Sequence, residues 1–434
     1  MAFPDPFATL ERRVYWQATM PPLPDRRSDP LPDEVEVAVV GGGYTGVAAS
    51  RELARRGVAG CLLEARRLGW GASTRNGGIV HPGYKWGPHA LVRRYGLELA
   101  GELYRESVAA CRFVEELIRD EGIDCDWVGG GLLELAAAPG HVRGLEADRE
   151  ALRDLGEDAE LVSGDRLRAE IDSPAYRVGL ALRPAGGLHP GKYFAGLVGA
   201  ALRAGAVLRE EAPVRRIRRD GRGFVLETGR GSLRAREVLV ATDGYTDRAV
   251  PSLRRRVVPV GSYMIATEPL PPELASGLAP TGRVFFDTKN FLYYWRPTAD
   301  GRLAFGGRAS FVPTSVERTA RVLYRGMTEV YPQLRGVRIE YAWGGRLGFT
   351  VDRMPHVGRI GGLTYALGYC GSGVALGTYL GARTAAWLCG EERPVIGRLR
   401  FPLVPVPYEG RPWFLPIVGE WFRLQDRLAA RGRP

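Results

Sequence analysis

The stretch VEVAVVGGGYTGVAASRELARRGVAGCLLEA, residues 35–65, decides the fold. Val35 to Val40 is an apolar, β-branched run suited to a strand buried on both faces. Gly41, Gly43 and Gly46 fit the spacing G-x-G-x-x-G. Val47 to Arg56 reads as a helix, with Val47, Ala48, Leu53 and Ala54 on its apolar side, and Gly57 suits its C-terminal end. A second strand, Cys61 to Leu63, ends at Glu64. Each part has a mechanical reason. Gly41 makes the tight turn, Gly43 lets the backbone meet a pyrophosphate, and Gly46 permits close helix–sheet packing. The helix N-terminus offers free N–H groups and a partial positive charge to phosphates. Glu64 stands where an acid accepts hydrogen bonds from a ribose 2′-OH, which disfavours a 2′-phosphate and hence NADP. Strand, glycines, helix, strand and acid in this order predict a dinucleotide site in an α/β, Rossmann-like domain. FAD and NAD both fit it.

The segment GWGASTRNGG, residues 69–78, follows almost at once. It is small, polar and glycine-rich, as close backbone approach to a bound molecule would require. A nicotinamide dehydrogenase would proceed to another βα unit here. A flavoprotein would use such a segment to cover the adenosine and approach the isoalloxazine, so the loop favours FAD.

The chain returns to the same domain twice. Residues 207–209, 214–217, 224–227 and 232–235 read as a small antiparallel meander, followed by a buried strand at Val238–Ala241. LTYALGYCGSGVALGTYLGARTAAWLCG, residues 363–390, gives a strand, a Gly-rich turn at Gly371 and Gly373, and a helix whose positive end could face a reduced, anionic flavin. Between these returns, residues 85–180 read as largely helical. Residues 251–345 read as an antiparallel sheet, with RVFFDTKNFLYYWRPTADGRLAFGGR as a hairpin turning at TADGR. The expected architecture is a discontinuous FAD-binding domain (1–84, 181–250, 346–400), a substrate domain built on an antiparallel sheet (85–180, 251–345) and a C-terminal tail (401–434).

VVGGGYTGVAASRELARRG, GWGASTRNGG, VLVATDGYT, RRVVPVGSYMIATEPL, YYWRPTADGRLAFGGR and GYCGSGVALG together resemble the D-amino-acid oxidase-like family of FAD-dependent oxidoreductases. The Ser-Thr-Arg-Asn-Gly-Gly loop, Tyr15-Trp16 and ATEPL look most like its γ-glutamylputrescine oxidase branch. The resemblance implies FAD contacts from Gly41, Gly43, Gly46, Glu64, Ala72, Ser73, Arg75, Asn76, Gly77, Gly78, Val214, Gly371, Ser372, Gly373 and Val374. It implies oxidation of a primary or secondary amine, with electrons passed to O2 or another acceptor. Sarcosine oxidases of the family carry a basic residue near His81 for the substrate carboxylate. A histidine there favours a diamine derivative or another amine over a simple α-amino acid. Some members attach flavin through a Cys before a D-R-x-P motif. GRLGFTVDRMP has Gly348 and no Cys, so the FAD is expected to be non-covalent, with His81 the remaining attachment option. A lysine over the flavin, present in some amine-oxidising members, has no counterpart in GRLAFGG; Lys289 is the lysine nearby.

Candidates to face the substrate are His81, Tyr263, Tyr294 and Trp343, together with Tyr293 and Trp295, of which strand alternation lets only some share a side. An aromatic pocket suits an amine or its alkyl chain. Arg296 and Arg308 could hold a carboxylate, and His189 is expected to be structural.

Composition sets bounds. Five scattered cysteines without a CxxC pair suggest neither a disulfide framework nor a metal site, and fit a reducing cytoplasm. The formal charge of +11 comes mainly from arginines spread along the chain, which read as a solvated basic surface rather than a nucleic-acid groove. No apolar run approaches the roughly 18 residues of a membrane span. A non-catalytic flavoprotein scaffold and an NAD(P)H-linked reductase remain as other classes; the reductase would need a second nucleotide fingerprint, which VLVATDGYT does not supply.

Overall fold

The computed structural model describes residues 5–307 and 314–431. Strand Glu34–Val40 lies at the centre of the first sheet, pairing in parallel with Gly60–Leu63 on one side and Gly231–Val240 on the other. Val207–Arg209 extends this sheet beyond Gly60–Leu63, and Leu363–Leu367 and His356–Ile360 extend it beyond Gly231–Val240. Ala38 and Val39 are fully buried, on opposite faces, as a continuous apolar strand in a parallel sheet requires. Helices Tyr44–Arg55, Ala375–Leu388 and Pro190–Arg203 cover one face. They pack tightly: a Cβ on Gly381 would lie 2.3 Å from the Thr45 carbonyl oxygen.

The meander expected at 207–235 is corrected in two places. Val207–Arg209 pairs in parallel with Gly60–Leu63 and belongs to the main sheet. The last meander strand and the buried strand after it are one element, Gly231–Val240, which joins an exposed antiparallel ribbon at its start to the parallel sheet at its end. Periodicity cannot join two halves that sit in different environments.

The second sheet runs in the order Ile339–Phe349, Val258–Thr267, Leu303–Gly307, Tyr293–Pro297, Val284–Asp287, Leu132–Leu135, Val178–Leu182, Ala159–Ser163. All pairs are antiparallel except Val284–Asp287 with Leu132–Leu135. Three of its strands therefore come from the stretch read as largely helical. That stretch does hold helices Pro88–Asp120, broken at Gly96 (φ 77°), and Pro139–Asp154. The missed strands are four or five residues long, too short for a period to separate them from helix. The expected hairpin is three strands, with the TADGR turn between the second and third.

The register aligns one row across this sheet: Trp343, Met264, Gly306, Tyr294, Phe286, Glu134 and Leu180. All project from one face, towards the first sheet. On the other face Trp295, Phe305 and Phe285 stack in a separate core beneath helix Val316–Val330. The tail crosses the sheet edge. Val404, Tyr408 and Leu415 pack on Val258 and Val260, and Asp426 accepts hydrogen bonds from the Asn290 and Phe291 N–H groups. No helix among the described residues is long and apolar enough to cross a membrane.

Candidate active site

Two adjoining cavities lie between the sheets, of about 410 and 210 Å³. The larger sits at the C-terminal ends of the parallel strands. Gly41 (φ 108°) turns the chain out of its strand in a conformation that favours glycine, and a Cβ there would lie 2.7 Å from the Ala241 carbonyl oxygen. Gly43 opens to the cavity. Gly46 does not line it; a Cβ on Gly46 would come within 1.9 Å of the Gly41 oxygen, so its role is the contact of helix with turn. Glu64 accepts from Gly42 N–H at 2.7 Å and Arg66 N–H at 2.8 Å, and burial holds its carboxyl above the usual range. These bonds aim the carboxylate into the cavity, where ribose hydroxyls can reach its remaining lone pairs. Ala72, Ser73, Asn76, Val214, Gly371, Gly373 and Val374 line the same space. The cradle presents glycines alone, Gly41 to Gly43, just before the helix N-terminus, which fits the pyrophosphate of FAD.

The loop 69–78 is clamped on every side. Trp16 Nε1 donates to Asn76 O at 2.8 Å, and Trp343 Nε1 donates to Arg75 O at 2.9 Å. Arg75 reaches Gly344 O, and the Asn76 side chain bonds Ala72 O, Ser73 O and Gly78 N–H. Trp70, 40% exposed, lies between the Arg66 and Arg75 guanidinium groups at the cavity edge. The last two glycines also make room for other parts of the protein. A Cβ on Gly77 would meet the Tyr294 ring at 2.8 Å, and one on Gly78 (φ 67°) the Leu188 oxygen at 2.0 Å. Gly77, Arg75 and Ser372 line the smaller cavity; Gly78 lines neither.

Ala72, Asn76, Arg346, Leu347, Gly371 and Val374 line both cavities and mark where they meet. Helix Ala375–Leu388 points its N-terminus at this junction, where its dipole favours negative charge. Across it, Tyr294 roofs the smaller cavity. Its ring lies over Gly306, where a Cβ would fall 2.3 Å from the ring, and its hydroxyl is 3.0 Å from Ser262 Oγ. His81 lines the wall, edge-on to Phe286, with Nδ1 2.8 Å from Pro82 O; burial lowers its pKa and keeps it neutral. Cys370 lines the cavity with its thiol pushed up to about 12 by burial, and Thr350 Oγ1 lies 3.4 Å from Sγ.

Several sequence candidates are not brought to this cavity. Tyr263 and Tyr293 flank Gly307 in the register and project from the opposite face, among the second core. Trp343 is on the cavity side but is buried against Trp16 and Met264, holding the loop. Trp295 is in the far core. Arg296 is consumed by the carbonyl oxygens of Gly77, Pro297 and Leu188, with its ionisation pushed down to about 10 by burial. Lys289 pairs with Asp287 at 2.9 Å. His189 caps helix Pro190–Arg203 through Nδ1, at 3.0 Å from Lys192 N. Arg308 lies outside the described residues.

Sequence reading missed two acids. Asp243 accepts from Gly348 N–H at 3.1 Å and Gly368 N–H at 2.8 Å, tying the two sheets together at the cavity. The ATDGYT motif marked its turn but not its partners. Glu134 lines the smaller cavity from a strand that had no sequence signal.

A dinucleotide cradle opening onto an aromatic-lined cavity defines a flavin oxidoreductase architecture. The chain belongs to the FAD dependent oxidoreductase family (DAO), whose profile matches residues 36–387, and is an FAD-dependent enzyme of that family. It is 32% identical to the probable oxidoreductase OrdL of Rhizobium meliloti (strain 1021), over 95% of this chain and 97% of that one. It is also 32% identical to the γ-glutamylputrescine oxidoreductase of Escherichia coli (strain K12), over 91% and 93%. Among solved structures, glycine oxidase from Geobacillus kaustophilus superposes with a TM-score of 0.69 at 23% identity, covering 88% of this chain and 99% of that one, a likeness of fold.

Proposed function

We propose that this protein oxidises a primary or secondary amine bound in the smaller cavity, beside FAD bound in the larger one. The observation that carries the reading is the junction: the clamped loop Ala72–Gly77 and the turn Gly371–Val374 border both spaces. Bound FAD supplies the acceptor for a hydride from the carbon next to the amine nitrogen, leaving an imine that water hydrolyses. The chain's residues do the rest. Gly41, Gly43, Glu64 and Val214 hold the nucleotide end, and the helix starting at Ala375 offers its positive end to developing negative charge. Tyr294, Phe286 and His81 enclose the amine and exclude water, and a neutral His81 adds no charge that would repel a cationic substrate. Residues 1–84, 181–250 and 346–400 would carry the cofactor, and 85–180 and 251–345 the substrate.

The kinship with γ-glutamylputrescine oxidoreductase supports an amine of that kind over a simple α-amino acid. Arg296, outside the cavity and committed to three carbonyls, is not available to a substrate carboxylate. The test is the visible spectrum of the purified yellow protein under anaerobic conditions, before and after γ-glutamylputrescine, putrescine, sarcosine, proline or glycine. Bleaching by an amine is expected, and its reversal in air identifies O2 as acceptor. Flavin bleached by dithionite but by no amine would mean a non-catalytic flavoprotein or a different donor. Acid precipitation should leave the flavin in the supernatant, because Cys370 is an un-ionised buried thiol and Gly348 offers no nucleophile.

A further inference from the structure

Glu134 is a carboxylate facing the substrate cavity with no hydrogen-bond partner among the described residues. It sits in strand Leu132–Leu135, whose Leu133 and Leu135 turn into the far core while Glu134 turns the other way. Its register neighbours are Phe286 and Leu180, and with Lys85, His81, Tyr104 and Leu182 it lines the cavity. The other acids near it are engaged. Asp148 accepts from His89 N–H, and Asp287 holds Lys289 and the Tyr293 N–H. Half-buried, this carboxyl loses hydration that no hydrogen bond among the described residues replaces. Valine or leucine would fill the same strand position without that cost. The group makes physical sense if a ligand completes it.

Building on the amine-oxidising function, we propose that Glu134 is a specificity-determining residue that binds a second, cationic nitrogen of the substrate, so that the enzyme takes elongated amines carrying an ammonium group remote from the carbon oxidised. The sheet register sets the spacing. Tyr294 stands at the flavin end, over Gly77, and Glu134 lies two strands further along the same row, roughly 10 Å away. Phe286 lies between them, so the row reads tyrosine, phenylalanine, carboxylate: polar at both ends and apolar where an alkyl spacer would pass. The remote ammonium would give Glu134 a direct partner, where the chain supplies only the charge of Lys85 acting through space, and a neutral alkyl end would leave the carboxylate without that partner.

The test uses the flavin-loaded enzyme and matched pairs of amines that differ only in the remote ammonium: 1,8-diaminooctane against octylamine, and γ-glutamylputrescine against N-glutarylputrescine. Anaerobic flavin reduction and steady-state turnover are read for the wild type, Glu134→Gln and Glu134→Asp. The wild type should favour the ammonium-bearing member by tenfold or more in kcat/KM, chiefly through KM. Glu134→Gln should shrink that preference to about twofold with flavin content unchanged, and Glu134→Asp should keep part of it. A second readout needs no turnover. Hexamethonium, whose quaternary nitrogens lack the lone pair that oxidation requires, should perturb the oxidised flavin spectrum and bind at least tenfold more weakly to Glu134→Gln. A wild type that reduces both members of each pair equally, or a Glu134→Gln enzyme with undiminished preference, overturns this inference and leaves the amine-oxidising function standing. Flavin bleached by no amine overturns both.

Discussion

The two cavities are built on opposite principles. The larger is made by absent side chains: Gly41 and Gly46 let strand, turn and helix close to distances that a single Cβ would forbid, and Gly43 leaves the backbone open to the cavity. The smaller is made by present ones, Tyr294, Phe286, Glu134 and His81, brought together from three distant parts of the chain. The first grips a part of the cofactor common to many enzymes, so its chemistry is backbone chemistry. The second, on the proposed function, tells one amine from another, so its chemistry is that of side chains.

The contrast breaks most sharply at Gly46. Gly46→Val should push helix and turn apart and lower bound flavin to less than about a tenth of wild type, read from the ratio of visible to ultraviolet absorbance. A variant that holds flavin normally would show that the close contact is dispensable. Next comes Gly306→Val, which should displace the Tyr294 ring from its seat. Flavin content should hold while kcat/KM falls about 100-fold, the scale of an ångström's misplacement. Loss of flavin instead would mean that the two cavities are not separable.

Glu134 gives a smaller, pH-dependent effect. Burial, with Asp148 and Asp287 adding to it and Lys85 opposing, raises its carboxyl from 4.5 to about 7. Between those values the native state keeps a proton that the unfolded chain has lost, so this group makes stability fall as pH rises through the window. The contribution is about 1–3 kcal/mol. Urea unfolding at pH 5 and pH 8 should show Glu134→Gln with a shallower pH dependence than wild type; equal slopes would place the carboxyl in water. The smallest expected effect is Tyr263→Phe, with kcat/KM within about twofold of wild type. A large loss would return Tyr263 to the reaction in spite of its facing the far core.

The first cavity was legible because its residues are local and their types are forced. Gly41 to Glu64 covers 24 consecutive positions, and the turn, the phosphate approach and the helix contact each demand a glycine at a fixed offset. Even there the structure added a meaning: Gly77 and Gly78 also make room for Tyr294 and the Leu188 carbonyl. The second cavity was half legible. The aromatic strand residues were visible, but which of Tyr263, Tyr293 and Tyr294 faces the site depends on register with Gly306 and Gly307, which no single strand contains. Arg296 looked like a carboxylate ligand because its carbonyl partners are 108 and 219 residues away.

By itself the sequence determined the dinucleotide fold, the cofactor class and the loop that covers it, because these rest on short-range geometry that few residue types satisfy. Only the tertiary structure decided which side chains line the second cavity, that Asp243 ties the sheets together, and that Glu134 stands at the end of the aromatic row with no hydrogen-bond partner among the described residues. Those facts arise from pairing between strands remote in sequence, and a shift of one residue in any of them would turn the row to the other face.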